Sequence, residues 1–262
     1  MSINPEIPAY PPGTIDTHVH TRHSCDSRME PAAAARAARD RGLRALAFTE
    51  HADFDPADQG FGFYDAEAIH RTFAEFGIRN SEFRAYRGIE IGYQPQYERV
   101  IRDFIADGHF DFIIGSVHLV GPDDLSRPEH QEAYFRPRTQ RQAYGAYLAA
   151  VEKAVASGLF HCLGHLDLCK RYGHKYYGPM AWRDFEPQIA RILRGVIANG
   201  MYLELNTSGL RQDPGEPYPS LEVIREYRRL GGTRLLLGSD AHCPEHVGYA
   251  FPEILAALES PL

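Results

Sequence analysis

Residues 14–20 read TIDTHVH, a short β-rich run that ends on two histidines. Alternate residues of a strand point to the same side, so both imidazoles project to one face. Further apolar runs along the chain also end on histidine or carboxylate residues, and the last of them leads into Asp240-Ala241-His242. Ligand-type residues that recur at the ends of strands predict a metal site built from several strands.

Seven short runs of strand type alternate with helical patterns. Each run is nearly continuous in apolar residues, as expected for parallel strands that are buried on both faces. Ligand-type residues end six of the runs, and only a ring of strands brings all of these ends together. We therefore predict an α/β fold, a closed or nearly closed barrel in which residues 1–262 form a single domain. The predicted strands are Thr14–His20, Ala45–His51, Tyr86–Gly92, Phe112–His118, His161–Asp167, Tyr202–Thr207 and Arg234–Ser239.

Composition narrows the class of protein. The net charge of -7 disfavours nucleic acid as a partner, because a phosphate backbone requires a basic face. The longest apolar runs are far shorter than the roughly 20 residues that span a bilayer, so no membrane association is expected. Residues 1–13 lack the pattern of a signal peptide, which predicts a cytoplasmic location. The four cysteines form no CxxC pair and are expected to be reduced thiols, although Cys25 and Cys243 stand beside candidate ligands.

Nine side chains are the predicted metal ligands. One ion with an open coordination position uses three or four protein groups, so nine would serve two or three ions, with Glu90 as a bridging carboxylate. Mixed imidazole and carboxylate ligands suit zinc, iron or manganese. The nine ligands are His18, His20, Asp26, His51, Glu90, His118, His165, Asp240 and His242.

Clustered metal ions favour phosphoryl chemistry, because they can hold both the attacking and the leaving oxygen. Lys170 and Arg171 follow the fifth predicted strand and Arg211 follows the sixth, where guanidinium groups would suit phosphate oxygens. We predict that these three residues bind the substrate. The polar segment 121–138 and the Tyr- and Gly-rich segment 169–182 are long enough to be lids, whose aromatic residues would pack on a substrate or on the barrel rim.

These motifs resemble the PHP family, named for polymerase and histidinol phosphatase. The resemblance covers nearly the whole chain and rests on 16–21 with Ser24 and Asp26, on 49–51, on 88–90 and on 238–242. Three further segments, 114–118, 164–168 and 203–211, are similar to the histidinol-phosphate phosphatase branch, as is the run 218–220. The resemblance implies a distorted seven-stranded (β/α)7 TIM-like barrel with three divalent metal ions.

The resemblance also implies a reaction, the hydrolysis of L-histidinol phosphate to L-histidinol and inorganic phosphate in histidine biosynthesis. A metal-bridging hydroxide would attack phosphorus, with catalytic roles for Arg171, Asp240 and Glu90. The implied first ion is bound by His18, His20, Glu90 and Asp240. The implied second ion is bound by Glu90, His118 and His165, and the third by Asp26, His51 and His242.

Other functions stay open at this point. The same metal core would serve another small phosphate ester or a nucleotide, because the loops set specificity. A metal-dependent amidohydrolase also begins with a His-x-His strand, although Asp26, Glu90 and His242 exceed its usual ligand set. A DNA-editing exonuclease is disfavoured by the negative charge, and a non-enzymatic metal-binding barrel is the least favoured class. Neither the metal nor the oligomeric state follows from the sequence.

Overall fold

Seven parallel strands form a nearly closed barrel, as predicted, with sequence neighbours adjacent in the sheet. The computed structural model describes residue 7 and residues 10–76, 79–80 and 83–259. A two-residue strand, Arg79–Asn80, pairs antiparallel with the third barrel strand. The barrel strands are β1 (Ile15–Val19), β2 (Ala45–Asp53), β3 (Phe83–Gly92), β4 (Phe112–Ser116), β5 (Cys162–Leu163), β6 (Tyr202–Asn206) and β7 (Leu235–Gly238).

The first and last strands close the ring. Val19 and Ala241 form a parallel bridge, and the N–H of His20 donates to the Ala241 carbonyl at 2.9 Å. The buried Asp16 carboxylate accepts the backbone N–H groups of Ser239 at 2.9 Å and Gly248 at 2.8 Å. Asp16 therefore joins β1 to the segment after β7, which brings the two ends of the sequence pattern into one site.

Helices cover the outside of the barrel. The long helix before β5 begins at a capping box on Thr139, where the threonine side chain accepts the N–H of Gln142, and it is followed by Gly158 with φ +64°. Within the described residues the helices are α1 (Pro31–Asp40), α2 (Ala66–Phe76), α3 (Glu98–Asp107), α4 (Pro128–Phe135), α5 (Gln140–Ser157), α6 (Cys169–Tyr177), α7 (Glu186–Ala198), α8 (Leu221–Arg229) and α9 (Phe251–Glu259). None of them is both long and apolar enough to cross a bilayer.

The two segments predicted as lids contain helices. Pro128 opens α4 and α6 follows β5 after a short turn. Aromatic contacts hold α4 and α6 together. The Phe135 ring stacks on the Tyr176 ring, with 5.2 Å between their centroids, and it meets the Tyr177 ring edge-on at 5.9 Å. Of the aromatic residues in the two segments, only Tyr172 lines the main cavity, so the others pack at the barrel rim; the six are Tyr134, Phe135, Tyr172, Tyr176, Tyr177 and Trp182.

Side chains inside the barrel change character along each strand. On β2 the inward-facing residues begin with Ala45 and Ala47 in an apolar cluster and end with His51 and Asp53. On β3 the inward series runs from Tyr86, in the same cluster, to Glu90. The apolar layer thus fills one end of the barrel, and the polar residues are concentrated at the carboxyl ends of the strands.

Candidate metal centre

Glu90 on β3 lies at the centre of a group of five imidazoles. Its Oε2 atom is 3.2 Å from His18 Nε2, 3.4 Å from His20 Nε2 and 3.2 Å from His51 Nδ1. These histidines come from β1, from the residue after it, and from β2. Glu90 is only 1% exposed, so this part of the site is shielded from solvent.

The second oxygen of Glu90 faces the strands on its other side. Oε1 is 2.9 Å from His165 Nε2 and 3.4 Å from His118 Nε2, and it accepts the hydroxyl of Ser116 at 2.6 Å. His118 lies two residues after β4 and His165 two residues after β5. One carboxylate therefore contacts histidines from four neighbouring strand ends, as expected of a bridging group.

Two further carboxylates and His242 complete the predicted ligand set. Asp26 Oδ2 is 3.0 Å from His242 Nε2 and 3.5 Å from His51 Nε2. Asp240 Oδ1 is 3.5 Å from His20 Nε2 and 3.6 Å from His242 Nδ1. The structure thus brings all nine predicted ligands into one connected group.

The imidazoles and carboxylates of this group shift one another's pKa values. Burial would raise the pKa of Glu90, but His18 and His51 outweigh it and hold that pKa well below its usual value. Burial likewise opposes charge on His118, but Glu90 outweighs it and raises the pKa of His118 to about 9. Without a metal ion, protons on His18, His51 and His118, whose pKa values are all raised, would offset the carboxylate charge. A divalent cation would replace these protons and release them on binding.

The unpaired nitrogens at Glu90 fit a metal centre. His18 Nε2, His20 Nε2 and His51 Nδ1 are buried and have no hydrogen-bond partner among the described residues. Ligand atoms of a tetrahedral ion with bonds of about 2.0 Å are about 3.3 Å apart, close to the separations of these nitrogens from Glu90. Three groups of side chains have ligand atoms within 4.8 Å of one another around Glu90 and His20. They are His18-His20-Glu90, His51-Glu90-His118 and His20-Asp26-His51-His242.

Glu204 on β6 contacts two of the histidines on the side away from Glu90, and it is not among the nine ligands predicted from the sequence. Its Oε1 is 2.6 Å from His18 Nδ1, and its Oε2 accepts the backbone N–H of His165 at 2.6 Å. A carboxylate on one imidazole nitrogen directs the other nitrogen toward a metal. The available signal was an acidic residue between Leu203 and Leu205, in a run predicted to be a buried strand.

We expect Glu204→Gln to lower metal affinity by about 10- to 100-fold, because the amide no longer holds the His18 ring as a charged acceptor. Metal titration followed by elemental analysis measures this change. Glu152→Gln, on the surface where Glu152 pairs with Arg191, is the matched control. Unchanged metal affinity in Glu204→Gln would remove Glu204 from the ligand support.

A cavity of about 410 Å³ opens above the ligand group. Arg171 and Arg211 line it, as the prediction for substrate binding requires. The Arg171 guanidinium stacks over the Tyr172 ring at 5.1 Å from its centroid. Arg211 donates from Nη2 to the carbonyls of Ser239 and Asp240, both at 2.8 Å, so its orientation is set by the loop after β7.

Lys170 is not among the residues that line this cavity. Its ammonium is 3.0 Å from Asp167 and 2.8 Å from Glu216, and it also donates to the carbonyl of Pro217 at 2.9 Å. Because α6 begins at Cys169, the neighbours Lys170 and Arg171 point about 100° apart around the helix. The structure therefore brings Arg171 and Arg211 to the cavity, and it pairs Lys170 with acidic residues elsewhere.

The structure contains no disulfide between the four cysteines, which are all free. Cys25 lines the cavity, but burial raises its pKa to about 11. No cysteine belongs to a group of described side chains whose ligand atoms lie within 4.8 Å of one another, which favours the histidines and carboxylates as ligands.

Comparison with known proteins agrees with this geometry. A family model described as PHP domain matches residues 16–208. A probable histidinol-phosphatase of Deinococcus radiodurans is 33% identical over 252 residues, which cover 92% of this chain and 91% of that protein. The chain belongs to the PHP family. A second member, the histidinol-phosphatase of Lactococcus lactis subsp. lactis, is 30% identical over 232 residues, covering 87% of this chain and 84% of the relative.

A solved structure of a PHP relative matches over almost the full length. The histidinol phosphate phosphatase from Lactococcus lactis subsp. lactis was solved in complex with zinc, L-histidinol and phosphate. It superimposes with a TM-score of 0.82 at 26% identity, over 94% of this chain and 93% of that one. The predicted family, and the distorted barrel that the resemblance implied, are both confirmed.

Proposed function

We propose that this PHP protein hydrolyses L-histidinol phosphate to L-histidinol and inorganic phosphate. The observation that carries the proposal is the connected group of nine ligand-type side chains centred on Glu90. It occurs in a chain that matches a histidinol-phosphatase and a probable histidinol-phosphatase over most of its length. The cavity above Glu90 has the volume of a small-molecule site and contains two arginines. Residues 1–262 would act as one domain in the cytoplasm, a location that the four free cysteines support.

The proposed centre binds three divalent ions through the nine ligands. When bound, the ions would lower the pKa of water and offset charge on the phosphate oxygens. Glu90 would bridge, since its two oxygens face histidines on opposite sides. Asp240, which lies beside His20 and His242, would be a further ligand. Zinc is the metal of the Lactococcus lactis complex, while iron and manganese suit the same ligands.

Two arginines would bind the phosphate group. Arg211 is oriented by the carbonyls of Ser239 and Asp240, and its Nη1 is buried with no hydrogen-bond partner among the described residues. Arg171 reaches the same cavity from α6. A planar guanidinium can donate two parallel hydrogen bonds to a phosphate, which orients the ester for in-line displacement.

Steady-state phosphate release tests the proposed function. Histidinol phosphate should be compared with sugar phosphates, nucleotides and an aryl phosphate, with protein loaded with zinc, manganese or iron in turn. We expect a preference of about a thousandfold for histidinol phosphate, which corresponds to about 4 kcal/mol of differential transition-state binding. Similar slow rates on every ester would be consistent with a phosphoesterase but would reject histidinol phosphate as its specific substrate.

Removal of metal should abolish activity. We expect dialysis against a chelator to reduce phosphate release to background, because the five histidines around Glu90 cannot replace a divalent cation at the phosphate. Addition of one metal at a time, with activity and bound metal measured together, should restore the rate and identify the effective ion. Full activity in protein shown to be metal-free would contradict the metal-dependent proposal.

A further inference from the structure

The cavity above Glu90 carries charges of both signs. Arg171 and Arg211 contribute guanidinium groups, while Asp53 and Asp58 contribute carboxylates. One oxygen of each aspartate and a ring nitrogen of His118 lie within 4.8 Å of one another. The nine predicted metal ligands include neither aspartate. The pair therefore has no role in the site described so far.

Asp53 is buried, and one of its carboxylate oxygens has no hydrogen-bond donor among the described residues. Its exposed fraction is 8%, and the oxygen without a donor is Oδ1. The nearby histidine nitrogens are 3.9 Å away at His118 and 4.0 Å away at His51, beyond hydrogen-bond distance. A buried carboxylate oxygen without a donor is unfavourable, so this position favours a ligand that brings one.

Two glycines give both carboxylates room at the cavity wall. A Cβ atom at Gly60 or at Gly92 would collide with the Asp53 carboxylate, so the absence of a side chain at both positions makes room for it. The N–H of Gly60 donates to Asp58 Oδ1 at 2.8 Å. The loop after β2 and the end of β3 thus hold the two aspartates together beside the metal centre.

We infer that Asp53 and Asp58 bind the ammonium group of the substrate. The inference rests on the proposed function, because L-histidinol phosphate carries a primary ammonium on the carbon that is bonded to its CH2–O–phosphate group. The arginines would bind the phosphate and the aspartates would accept N–H groups from the ammonium. Hydrogen bonds between an ammonium and a carboxylate are charge-assisted and strong. The site thereby selects a zwitterionic ester over esters that carry only negative charge.

Two other occupants fit the aspartates less well. The substrate's imidazole is largely neutral at neutral pH, whereas its ammonium is charged and has three donors. A fourth metal ion would need the Nδ1 atom of His118, whose Nε2 already faces Glu90 at 3.4 Å. An ammonium needs no nitrogen ligand, so it satisfies Asp53 without competing for His118.

Asp58→Asn tests the inference with the least disturbance of the metal centre. A change at Asp53 would disturb His51 and His118, which lie beside it. An asparagine at position 58 can still accept the Gly60 N–H, so the loop should keep its conformation. Asp55→Asn is the matched control, because Asp55 lies on the same loop and accepts the Ala57 N–H at 2.8 Å but does not line the cavity. The paired substrates are histidinol phosphate and its deaminated analogue, 3-(imidazol-4-yl)propyl phosphate.

We expect Asp58→Asn to lower kcat/KM for histidinol phosphate by about 10- to 100-fold, the effect of losing a hydrogen bond to a charged group. Its activity on the deaminated analogue should stay within about twofold of wild type, and Asp55→Asn should match wild type on both. In calorimetry on metal-loaded protein, Asp58→Asn should weaken binding of L-histidinol and leave binding of inorganic phosphate unchanged.

Three results would overturn the inference. One is an equal loss of activity on both esters, and another is the loss of a bound metal ion from Asp58→Asn in elemental analysis. The third is unchanged binding of L-histidinol. Failure of the proposed function has a different signature, since wild-type protein would then show no preference for histidinol phosphate over the broader panel of esters. Calorimetry with L-histidinol still tests the aspartates in that case.

Discussion

Glu90→Gln should lower kcat/KM for histidinol phosphate by about a thousandfold or more, or about 4 kcal/mol of transition-state stabilisation. Among the described residues, the glutamate is the one carboxylate that contacts histidines from four strand ends, with distances of 2.9–3.4 Å. Glutamine keeps the shape of the side chain but has only one oxygen and no charge. We therefore expect both the bridging position and part of the bound metal to be lost.

Kinetics and elemental analysis on the same Glu90→Gln sample measure this prediction. Glu67→Gln is a suitable control, because the Glu67 side chain is 88% exposed on α2 and pairs only with Arg71 among the described residues. Circular dichroism would show whether the fold is retained. A Glu90→Gln protein with wild-type activity and a full metal complement would exclude Glu90 as the bridging ligand.

Arg171→Met should lower kcat/KM by about 100- to 1,000-fold while the metal content stays unchanged. The guanidinium lines the cavity and stacks on Tyr172, and no metal ligand is displaced when it is removed. Arg171→Lys should recover only part of the loss, because an ammonium cannot reproduce two parallel hydrogen bonds to phosphate. Inhibition by inorganic phosphate should weaken in both variants.

Two comparisons make the test of Arg171 specific. Arg141→Met removes an exposed arginine from α5 and should leave the kinetics unchanged. Lys170→Met removes the neighbouring cation, which is paired with Asp167 and Glu216, so it should act on protein stability rather than on phosphate binding. If Arg171→Met stays within about threefold of wild type, Arg171 does not bind the transferred phosphate.

The predicted strands agree with the structure except near the fifth. Residues 161–167 were expected to be a strand, but β5 contains only Cys162–Leu163 before the chain turns toward α6. The apolar run continues through Leu166 and Leu168, whose burial comes from packing rather than from strand pairing. Periodicity alone does not separate these two sources of burial, so the boundary was too long.

The local pattern of the sequence was enough to predict the barrel and the side chains that could bind metal ions. Strand and helix periodicities arise from local backbone geometry, and His18, His51 and Glu90 stand out because polar residues end apolar strands. Tertiary structure decided which groups meet. Glu204 reaches His18 across 186 residues, and Asp53 stands beside Asp58 only because the loop after β2 folds back. Such contacts depend on barrel closure and loop packing, which bring together residues that are distant in the sequence.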